Sequence, residues 1–148
     1  METTLVLLKP DTIQRGLIGQ IVSRFENKGL KIIGMKMMTL TDEIVSEHYD
    51  FLADKPFFPG IKAYMTSAPV VAMVLAGSDV VKTVRNLTGA TNPSDALPGS
   101  IRGDFALTID ANIIHASDSR ETAAIEVKRF FKDGEITSYE KISDKIVG

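Results

Sequence analysis

The spacing of hydrophobic and polar positions along this chain alternates between strand-like and helix-like segments. Short runs that are apolar almost throughout are typical of buried strands, whereas apolar residues recurring every three or four positions indicate amphipathic helices. The apolar runs predict strands at positions 5–8, 30–40, 69–75 and 112–115. Helical spacing and helix-starting residues predict helices at 17–27, 41–52, 79–87 and 118–131, with a turn from Asp11 and a short helix that ends near Thr66.

The order of these elements, β-α-β-α-α-β-α-loop-β-α, indicates an antiparallel sheet covered by helices on one or both faces. We therefore expect an α+β fold with the ferredoxin-like βαββαβ arrangement. The last long helix, 118–131, should be amphipathic, and its spacing places Ala124, Val127, Phe130 and Phe131 inward.

Positions 89–103 interrupt the pattern with Gly, Pro, Asn and Ser and show no periodicity. A loop of this length inside a compact domain is usually functional or disordered, and its two prolines and Arg102 favour an ordered, functional loop. A further apolar stretch follows at 104–109, and the tail from 132 to 148 has only a weak pattern. No repeat or linker is apparent, so we interpret 1–148 as a single domain.

Composition narrows the function classes. The net charge of −2 gives no bias towards nucleic acids or membranes, and the absence of Cys excludes disulfides and thiolate metal sites. With two His residues, a structural zinc site is not expected. The longest apolar run, 68–76, is too short to span a membrane, and no basic segment typical of a signal peptide precedes the first strand. These features predict a cytoplasmic protein.

One histidine stands where the last predicted strand meets the last helix. His115 is followed by residues that cap helices: Asp118 and Glu121 have capping-box spacing, and Ser119 is the alternative cap. Backbone N–H groups at a helix start favour anions, and an imidazole is nucleophilic near neutral pH. The arrangement predicts phosphoryl chemistry at His115, and the alternative is a structural histidine at a strand end.

The chain contains no phosphate-binding glycine loop of the G-x-x-x-x-G-K-[S/T] type, no Gly-x-Ser-x-Gly elbow and no protein-kinase His-Arg-Asp loop. Isolated cations must therefore hold any bound phosphate. The candidates are Lys9, Arg85 and Arg102, each of which lies at an element end or in the long loop.

Seven segments in order along the chain carry a family resemblance. They are LKPD at 8–11, EHY at 47–49, KPFF at 55–58, PVVAMV at 69–74, TNP at 91–93, IRGDF at 101–105 and NIIHASDS at 112–119. With these segments the chain resembles the nucleoside diphosphate kinases over almost its whole length, and the last segment is the most specific. It departs from the pattern at Ala116, where many members carry Gly, and it matches least well beyond Phe131.

The resemblance implies that His115 takes the γ-phosphate of a nucleoside triphosphate, typically ATP, and passes it to a nucleoside diphosphate. This is a ping-pong route through a phosphohistidine, in which catalysis is mainly positioning and charge stabilisation. By the same resemblance Glu126 accepts a hydrogen bond from the far imidazole nitrogen, and Ser117 supports Glu126 or the phosphate. From the sequence pattern alone, Glu126 would be a solvated helix carboxylate and Ser117 a turn or capping residue.

The resemblance also implies a set of phosphate contacts. Lys9 would meet the transferring phosphate and the sugar 3′-hydroxyl, Arg85 and Thr91 the β-phosphate, and Arg102 the β/γ bridge. Tyr49 would donate its hydroxyl near the γ-phosphate. Arginine suits these roles because its planar fork makes bidentate contacts.

The nucleoside is expected to bind through a different set of residues. Asn112 would bond the ribose 3′-hydroxyl, and Phe57 would stack on the base, with Ile61 at its edge and Ile109 beneath. Stacking requires only a π-face, so it tolerates all bases. Phe58, by contrast, is interpreted as a core residue.

The implied cofactor is Mg²⁺, held mainly by the nucleotide phosphates, so no protein metal ligand is predicted. Asp118 would hold a magnesium-bound water or an arginine, although capping is its simpler role, and His48 is expected to pack or cap without a catalytic role. The loop at 89–103 would contact neighbouring subunits, which predicts a homo-oligomer, either a hexamer or a tetramer.

The alternative function is a non-enzymatic module of the same fold, either a nucleotide sensor or a nucleic-acid binder, because a fold does not determine function. Nucleic acid is not expected as the main partner, since the chain is mildly acidic and lacks an aromatic-rich basic strand. A sensor would not need His115 together with Glu126, Lys9, Arg85 and Arg102. We therefore favour the phosphotransferase.

Overall fold

The computed structural model describes residues 2–147, with side chains up to residue 146, and is built around a four-stranded antiparallel sheet. The strands lie in the order β2-β3-β1-β4, and their bounds are β1 Thr3–Leu8, β2 Lys31–Met38, β3 Val70–Ala76 and β4 Ile114–Ala116. This sheet with its covering helices confirms the predicted ferredoxin-like α+β fold.

Eight helices are described around the sheet. Their bounds are α1 Pro10–Gln14, α2 Ile18–Lys28, α3 Asp42–His48, α4 Phe58–Met65, α5 Val80–Thr88, α6 Ile101–Phe105, α7 Arg120–Phe130 and α8 Asp144–Val147. Single 3₁₀ turns lie at Asp50–Leu52, Pro93–Asp95, Ile109–Ala111 and Asp133–Glu135. Within the described range no helix is both long and apolar enough to cross a bilayer.

Both faces of the sheet are covered, and alternation along β1 divides the core into two layers. Successive strand residues point to opposite faces, so Val6 and Leu8 join one apolar cluster while Leu5 and Leu7 join the other. The first cluster is closed by α2 and α5, and the second by α3, α4 and α7. Strand β3 is buried along its whole length, which explains its nearly continuous apolar run.

Two expectations about local structure were wrong, and for the cap of the last long helix the alternative is confirmed. The segment from 89 to 109 is partly helical, because Ser100 accepts a hydrogen bond from Gly103 N and so begins α6 within it. Helix α7 is capped by Ser119, which accepts from Thr122 N, and not by Asp118. Ala124 is exposed, and Ala123 is the buried alanine because it shares a helical face with Val127.

Candidate active site

His115 lies on β4, where it pairs with Leu7 of β1, and the start of α7 follows five residues later. The backbone before it makes a γ-turn: Ile114 N donates to the Asn112 carbonyl oxygen at 2.8 Å, and Ile113 between them has a φ of 60°. A β-branched residue rarely adopts this left-handed conformation, so surrounding contacts must hold it. Lys9 N, at 2.8 Å, and Thr12 Oγ1, at 2.6 Å, both donate to the Ile113 carbonyl oxygen.

A buried carboxylate orients the imidazole. His115 Nε2 lies 2.8 Å from Glu126 Oε1, and Ser117 Oγ donates to the same oxygen at 2.6 Å. Because an ionised carboxylate only accepts hydrogen bonds, Nε2 must carry the proton, and Nδ1 is left with a free lone pair. Ser117 is itself held by a 3.4 Å hydrogen bond from Leu5 N of β1.

The protonation states follow from burial and neighbouring charges. Burial lowers the pKa of His115 below 6.5, the nearby cations Lys9 and Arg102 lower it further, and the bond to Glu126 opposes them. Burial by itself raises the pKa of Glu126. The hydrogen bonds from His115 and Ser117 outweigh this effect, so the pKa of the carboxyl is lowered. The site therefore holds a neutral imidazole against an ionised carboxylate.

The second histidine is a direct neighbour of the first. His48 ends α3, its ring centroid lies 4.5 Å from that of His115 in an edge-on contact, and it also packs on Tyr49 and Phe130. Its Nδ1 is 2.9 Å from Arg129 Nη1. Burial, followed by the effect of His115, lowers the pKa of His48 to about 3, so it stays neutral. His48 was expected either to pack or to cap a helix. It packs against neighbouring rings, and Tyr49 is the residue at the C-cap of α3.

A cavity of about 580 Å³ opens beside His115, and the five predicted phosphate ligands, Lys9, Tyr49, Arg85, Thr91 and Arg102, line it. Asn112, the residue predicted for the ribose, lines it as well. Lys9 Nζ donates to Asn112 Oδ1 at 2.6 Å, and Asn112 Nδ2 donates to the Thr91 carbonyl at 3.1 Å. Burial and the charge of Arg102 lower the pKa of Lys9 to about 8.

Arg102 has a structural task that the sequence did not indicate. Its guanidinium donates to the carbonyl oxygens of Asn112, Gly89 and Ile114, at 3.3, 3.0 and 2.6 Å. Two of its five N–H groups remain for a phosphate. Arg85 makes a single such bond, from Nη1 to the Ala116 carbonyl at 3.2 Å. Burial and the charge of Arg85 lower the pKa of Arg102 to about 10, which leaves it charged at neutral pH.

The three residues predicted for the base do not line this cavity. Phe57 is 54% exposed and immediately precedes α4, and Ile109 is also 54% exposed, in a 3₁₀ turn. Ile61 packs against the second core cluster. Phe58 is buried, as its interpretation as a core residue requires. The base-binding roles of Phe57, Ile61 and Ile109 stay predictions.

Arg129 also lines the cavity and was missed in the sequence. It follows Glu126 by three positions on α7, and residues at that spacing share a helix face. This spacing was the available signal, but the contact with His48 depends on how α3 packs against α7. Two exposed apolar side chains at the cavity wall, Phe51 and Ile125, were likewise not indicated.

One cluster has the residue types of a metal site. Ligand atoms of His48, His115 and Glu126 lie within 4.8 Å of one another. The nearby positive charges of Lys9 and Arg129, which also disfavour protonation of His48, oppose a cation there. Two exposed carboxylates elsewhere in the cavity wall, Asp50 and Asp118, suit a metal ion that arrives on a nucleotide, because such ions keep most of their ligands as water and phosphate oxygen.

Comparison with known proteins agrees with this geometry. Residues 2–136 match the family model "Nucleoside diphosphate kinase". A nucleoside diphosphate kinase from Parabacteroides distasonis is 59% identical over 140 residues, covering 95% of this chain and 92% of its own length. One from Methanocorpusculum labreanum is 55% identical over 144 residues, covering 97% of each chain.

Solved structures give the same result. A halophilic nucleoside diphosphate kinase from Halobacterium salinarum, in complex with CDP, superposes with a TM-score of 0.97 at 45% identity, covering 99% of this chain and 98% of that one. A family protein from Babesia bovis superposes with a TM-score of 0.96 at 40% identity over the full length of both. The chain belongs to the nucleoside diphosphate kinase family, the transferases that catalyse phosphate transfer between nucleotides.

Proposed function

We propose that phosphate transfer takes place in the cavity beside His115 and passes through a phosphohistidine. The observation that carries this proposal is the pairing of His115 Nε2 with Glu126 at 2.8 Å, which leaves Nδ1 as the nucleophile. Nδ1 attacks the γ-phosphorus of a nucleoside triphosphate, typically ATP, and the bond to the β,γ-bridging oxygen breaks. In the second half-reaction a β-phosphate oxygen of a nucleoside diphosphate attacks the same phosphorus, and the N–P bond breaks.

Charge stabilisation would come from the cations of the cavity wall. The transferring group is anionic and loosely bonded in flight, so preorganised positive charges lower the barrier more than a strong base would. Lys9, Arg85 and Arg102 supply these charges, and Thr91 assists at the β-phosphate. Burial raises the pKa of Tyr49, so its hydroxyl stays a donor for the γ-phosphate.

Glu126 and Ser117 act behind the nucleophile. The carboxylate holds the imidazole with its proton on Nε2 and stabilises the positive charge that the ring acquires as Nδ1 forms its bond to phosphorus. The hydrogen bond from Ser117 to Glu126 supports the first of the two roles expected for Ser117. In front of the nucleophile, Asn112 would meet the ribose 3′-hydroxyl, and Phe57, Ile61 and Ile109 would contact the base.

The metal partner in this proposal is Mg²⁺. Kinases that bind nucleotides generally use a divalent ion, and Mg²⁺ bound with the nucleotide would neutralise part of the phosphate charge. Asp118 is available to hold one of its water ligands because Ser119, not Asp118, caps α7. Asp50 lines the same cavity and is the second available carboxylate.

The assembly in this proposal is a homo-oligomer, a hexamer or a tetramer. Support comes from large apolar side chains that are exposed in the monomer, among them Met35 and Met37 on the edge strand β2 and Leu97 and Leu107 in and after the long loop. Sedimentation equilibrium would test it, and a monomer at micromolar concentration would contradict it. A cytoplasmic location, a single domain over 1–148 and the absence of a main nucleic-acid partner stay predictions from the sequence.

A phosphoenzyme trap tests the central proposal. The protein is mixed with γ-labelled ATP and magnesium, separated from free nucleotide, and analysed for acid-labile, base-stable label. Addition of a nucleoside diphosphate should release the label as triphosphate. The chain has only two histidines, so the matched controls are His115→Ala, which should take no label, and His48→Asn, which should still take it. Nucleotide binding without any label on the wild-type protein would point to the sensor instead.

A further inference from the structure

Glu126 lies within reach of two imidazoles, although only one of them performs the proposed chemistry. Its Oε1 is 2.8 Å from His115 Nε2, and its Oε2 is 3.7 Å from His48 Nδ1. A small movement of His48 would close the second distance to a hydrogen bond, provided that Nδ1 carried a proton. Such a bond would draw negative charge away from the oxygen that orients His115.

The contact with Arg129 prevents this by fixing the tautomer of His48. Arg129 Nη1 lies 2.9 Å from His48 Nδ1, and a guanidinium can only donate. Nδ1 must therefore accept, which places the single proton of the neutral ring on Nε2. Nε2 is buried and has no hydrogen-bond partner among the residues that the structure describes, so no contact on that side selects the tautomer.

Arg129 is itself held in place for this contact. Its side chain is mostly buried on the α7 face that also carries Glu126, and its Nε lies 3.4 Å from Glu47 Oε1 on α3, an ion pair in which Nε makes no hydrogen bond to the described residues. The guanidinium thus bridges α3 and α7 where the two histidines meet. His48 faces Tyr49 on its own side, His115 on β4, Lys9 after β1, and Glu126 and Arg129 on α7.

We propose that Arg129 is a positioning residue for phosphate transfer: by donating to Nδ1 of His48, it keeps the proton of His48 on Nε2 and thereby reserves Glu126 for His115. This inference rests on the proposed role of His115 and extends it to a residue that need not touch the nucleotide. Without Arg129, Nδ1 of His48 can take a proton and donate it to Glu126 Oε2. The Glu126–His115 bond then weakens, and the nucleophile is less well oriented.

The test is a double-mutant cycle with a spectroscopic readout. Arg129→Met is compared with wild type, and Arg129→Met/His48→Phe with His48→Phe alone, because Phe fills the ring site but cannot compete for Glu126. The rate of phosphoenzyme formation is measured in a single turnover at saturating ATP and magnesium, and the ¹⁵N shifts of both histidines report their tautomers. Nucleotide affinity is measured separately, by calorimetry with ADP.

We expect Arg129→Met to slow phosphoenzyme formation roughly tenfold, to leave ADP affinity within about twofold, and to shift a proton to His48 Nδ1. In the His48→Phe background the same substitution should change the rate less than about twofold. Arg129→Lys, which keeps a donor near His48, should retain most of the wild-type rate and the Nε2–H tautomer.

Two results would overturn the inference: an equal loss of rate in both backgrounds, which would mean that Arg129 acts on the nucleotide, or a proton on His48 Nδ1 in the wild-type protein. The second result is measured on the wild-type protein, so this test remains possible even if Arg129→Met does not fold. Failure of the proposed function is distinguishable, since it would remove the label from His115 in every variant while the tautomer of His48 stayed measurable.

Discussion

Arg102 holds the carbonyl groups on both sides of Ile113, the residue with the left-handed backbone two positions before the nucleophile. Its Nε bonds the Asn112 oxygen and its Nη2 the Ile114 oxygen, so one side chain clamps the γ-turn from which His115 projects. The same guanidinium faces the cavity. A residue expected to bind phosphate therefore also shapes the backbone that presents the nucleophile.

This double role predicts different consequences for two similar substitutions. Arg102→Lys keeps the charge, but one ammonium cannot reach three carbonyls that lie in different directions, and we expect the free energy of unfolding without nucleotide to fall by about 2–4 kcal/mol. Arg85→Lys is the matched control, because Arg85 bonds one carbonyl, and it should cost less than about 1 kcal/mol. Denaturant titration of the two proteins measures the difference. Equal losses would show that Arg102 does not clamp the turn.

Replacement of either arginine by alanine should also affect turnover. The loss of an electrostatic contact in the transition state is expected to lower kcat/KM by roughly 10²-fold or more. Steady-state kinetics with ATP and a second nucleoside diphosphate would measure it. A change under about threefold would identify that arginine as one that does not act on the transferring phosphate.

Phosphoenzyme formation should lose rate as the pH falls, because His115 must be neutral to attack. Burial holds its pKa below 6.5, so the acid limb should have its midpoint below that value. Glu126→Gln removes an influence that raises this pKa, and the limb should therefore move to lower pH even though the maximal rate falls. Single-turnover rates between pH 4 and 8 test this, and a limb that moved to higher pH would contradict it.

At alkaline pH, the deprotonation of Lys9 is expected to limit nucleotide binding. Its pKa of about 8 means that the ammonium loses its proton as the pH rises through that value, and phosphate binding should weaken with it. Lys9→Arg keeps the charge to much higher pH, so the decline in nucleotide affinity above pH 8 should disappear in that variant. Calorimetric titration with ADP from pH 7 to 10 provides the measurement. An unchanged decline would assign the limb to another group.

His48 should make stability depend on pH. Its pKa is about 3 in the folded chain and near 6.5 in the unfolded one, so between these values only the unfolded state binds the proton. The free energy of unfolding should therefore fall with decreasing pH, by about 1 kcal/mol per unit from this residue. His48→Phe removes the contribution, and its stability should decline less between pH 6 and 5. Parallel slopes in the two proteins would refute the assignment.

Neighbouring phenylalanines offer a clean separation of binding from stability. Phe58 is 7% exposed and Phe57 54% exposed. Phe58→Ala should cost about 3–5 kcal/mol of unfolding free energy, whereas Phe57→Ala should leave stability nearly unchanged and raise KM roughly tenfold for purine and pyrimidine substrates alike. Thermal unfolding and steady-state kinetics on both variants distinguish the roles. An unaltered KM in Phe57→Ala would remove the stacking proposal.

Local sequence patterns were sufficient to predict the elements whose structure depends mainly on residues close together in the chain. Strand β3 was predicted within a residue at each end because its apolar run is uninterrupted. Ser119 and Asp118 are both competent caps one position apart, and only the path of the chain after β4 decides between them. Ala123 and Ala124 posed the same problem, since a shift of one residue turns a helix face by about 100°.

The site shows the same division. Residue types and spacing, read with the family resemblance, indicated Lys9, Arg85 and Arg102, three of the four cations in the cavity wall. The contacts of Arg129 with His48 and of Arg102 with three carbonyls join residues distant in the chain, and no spacing in the sequence encodes them. The tertiary packing of α3, α6 and α7 is needed to see that these side chains support the nucleophile.

The gathering of Lys9, Arg85 and Arg102 in one cavity has a kinetic consequence, because the chain as a whole carries a net charge of −2. The long-range potential repels nucleotide anions weakly, and attraction arises close to the cavity mouth, where low-dielectric walls focus the field. The attraction of nucleotides should therefore act mainly within one Debye length of the cavity mouth, about 8 Å in physiological salt. An anion that reaches the mouth is guided inward phosphate first, which aligns it with His115 before any hydrogen bond forms.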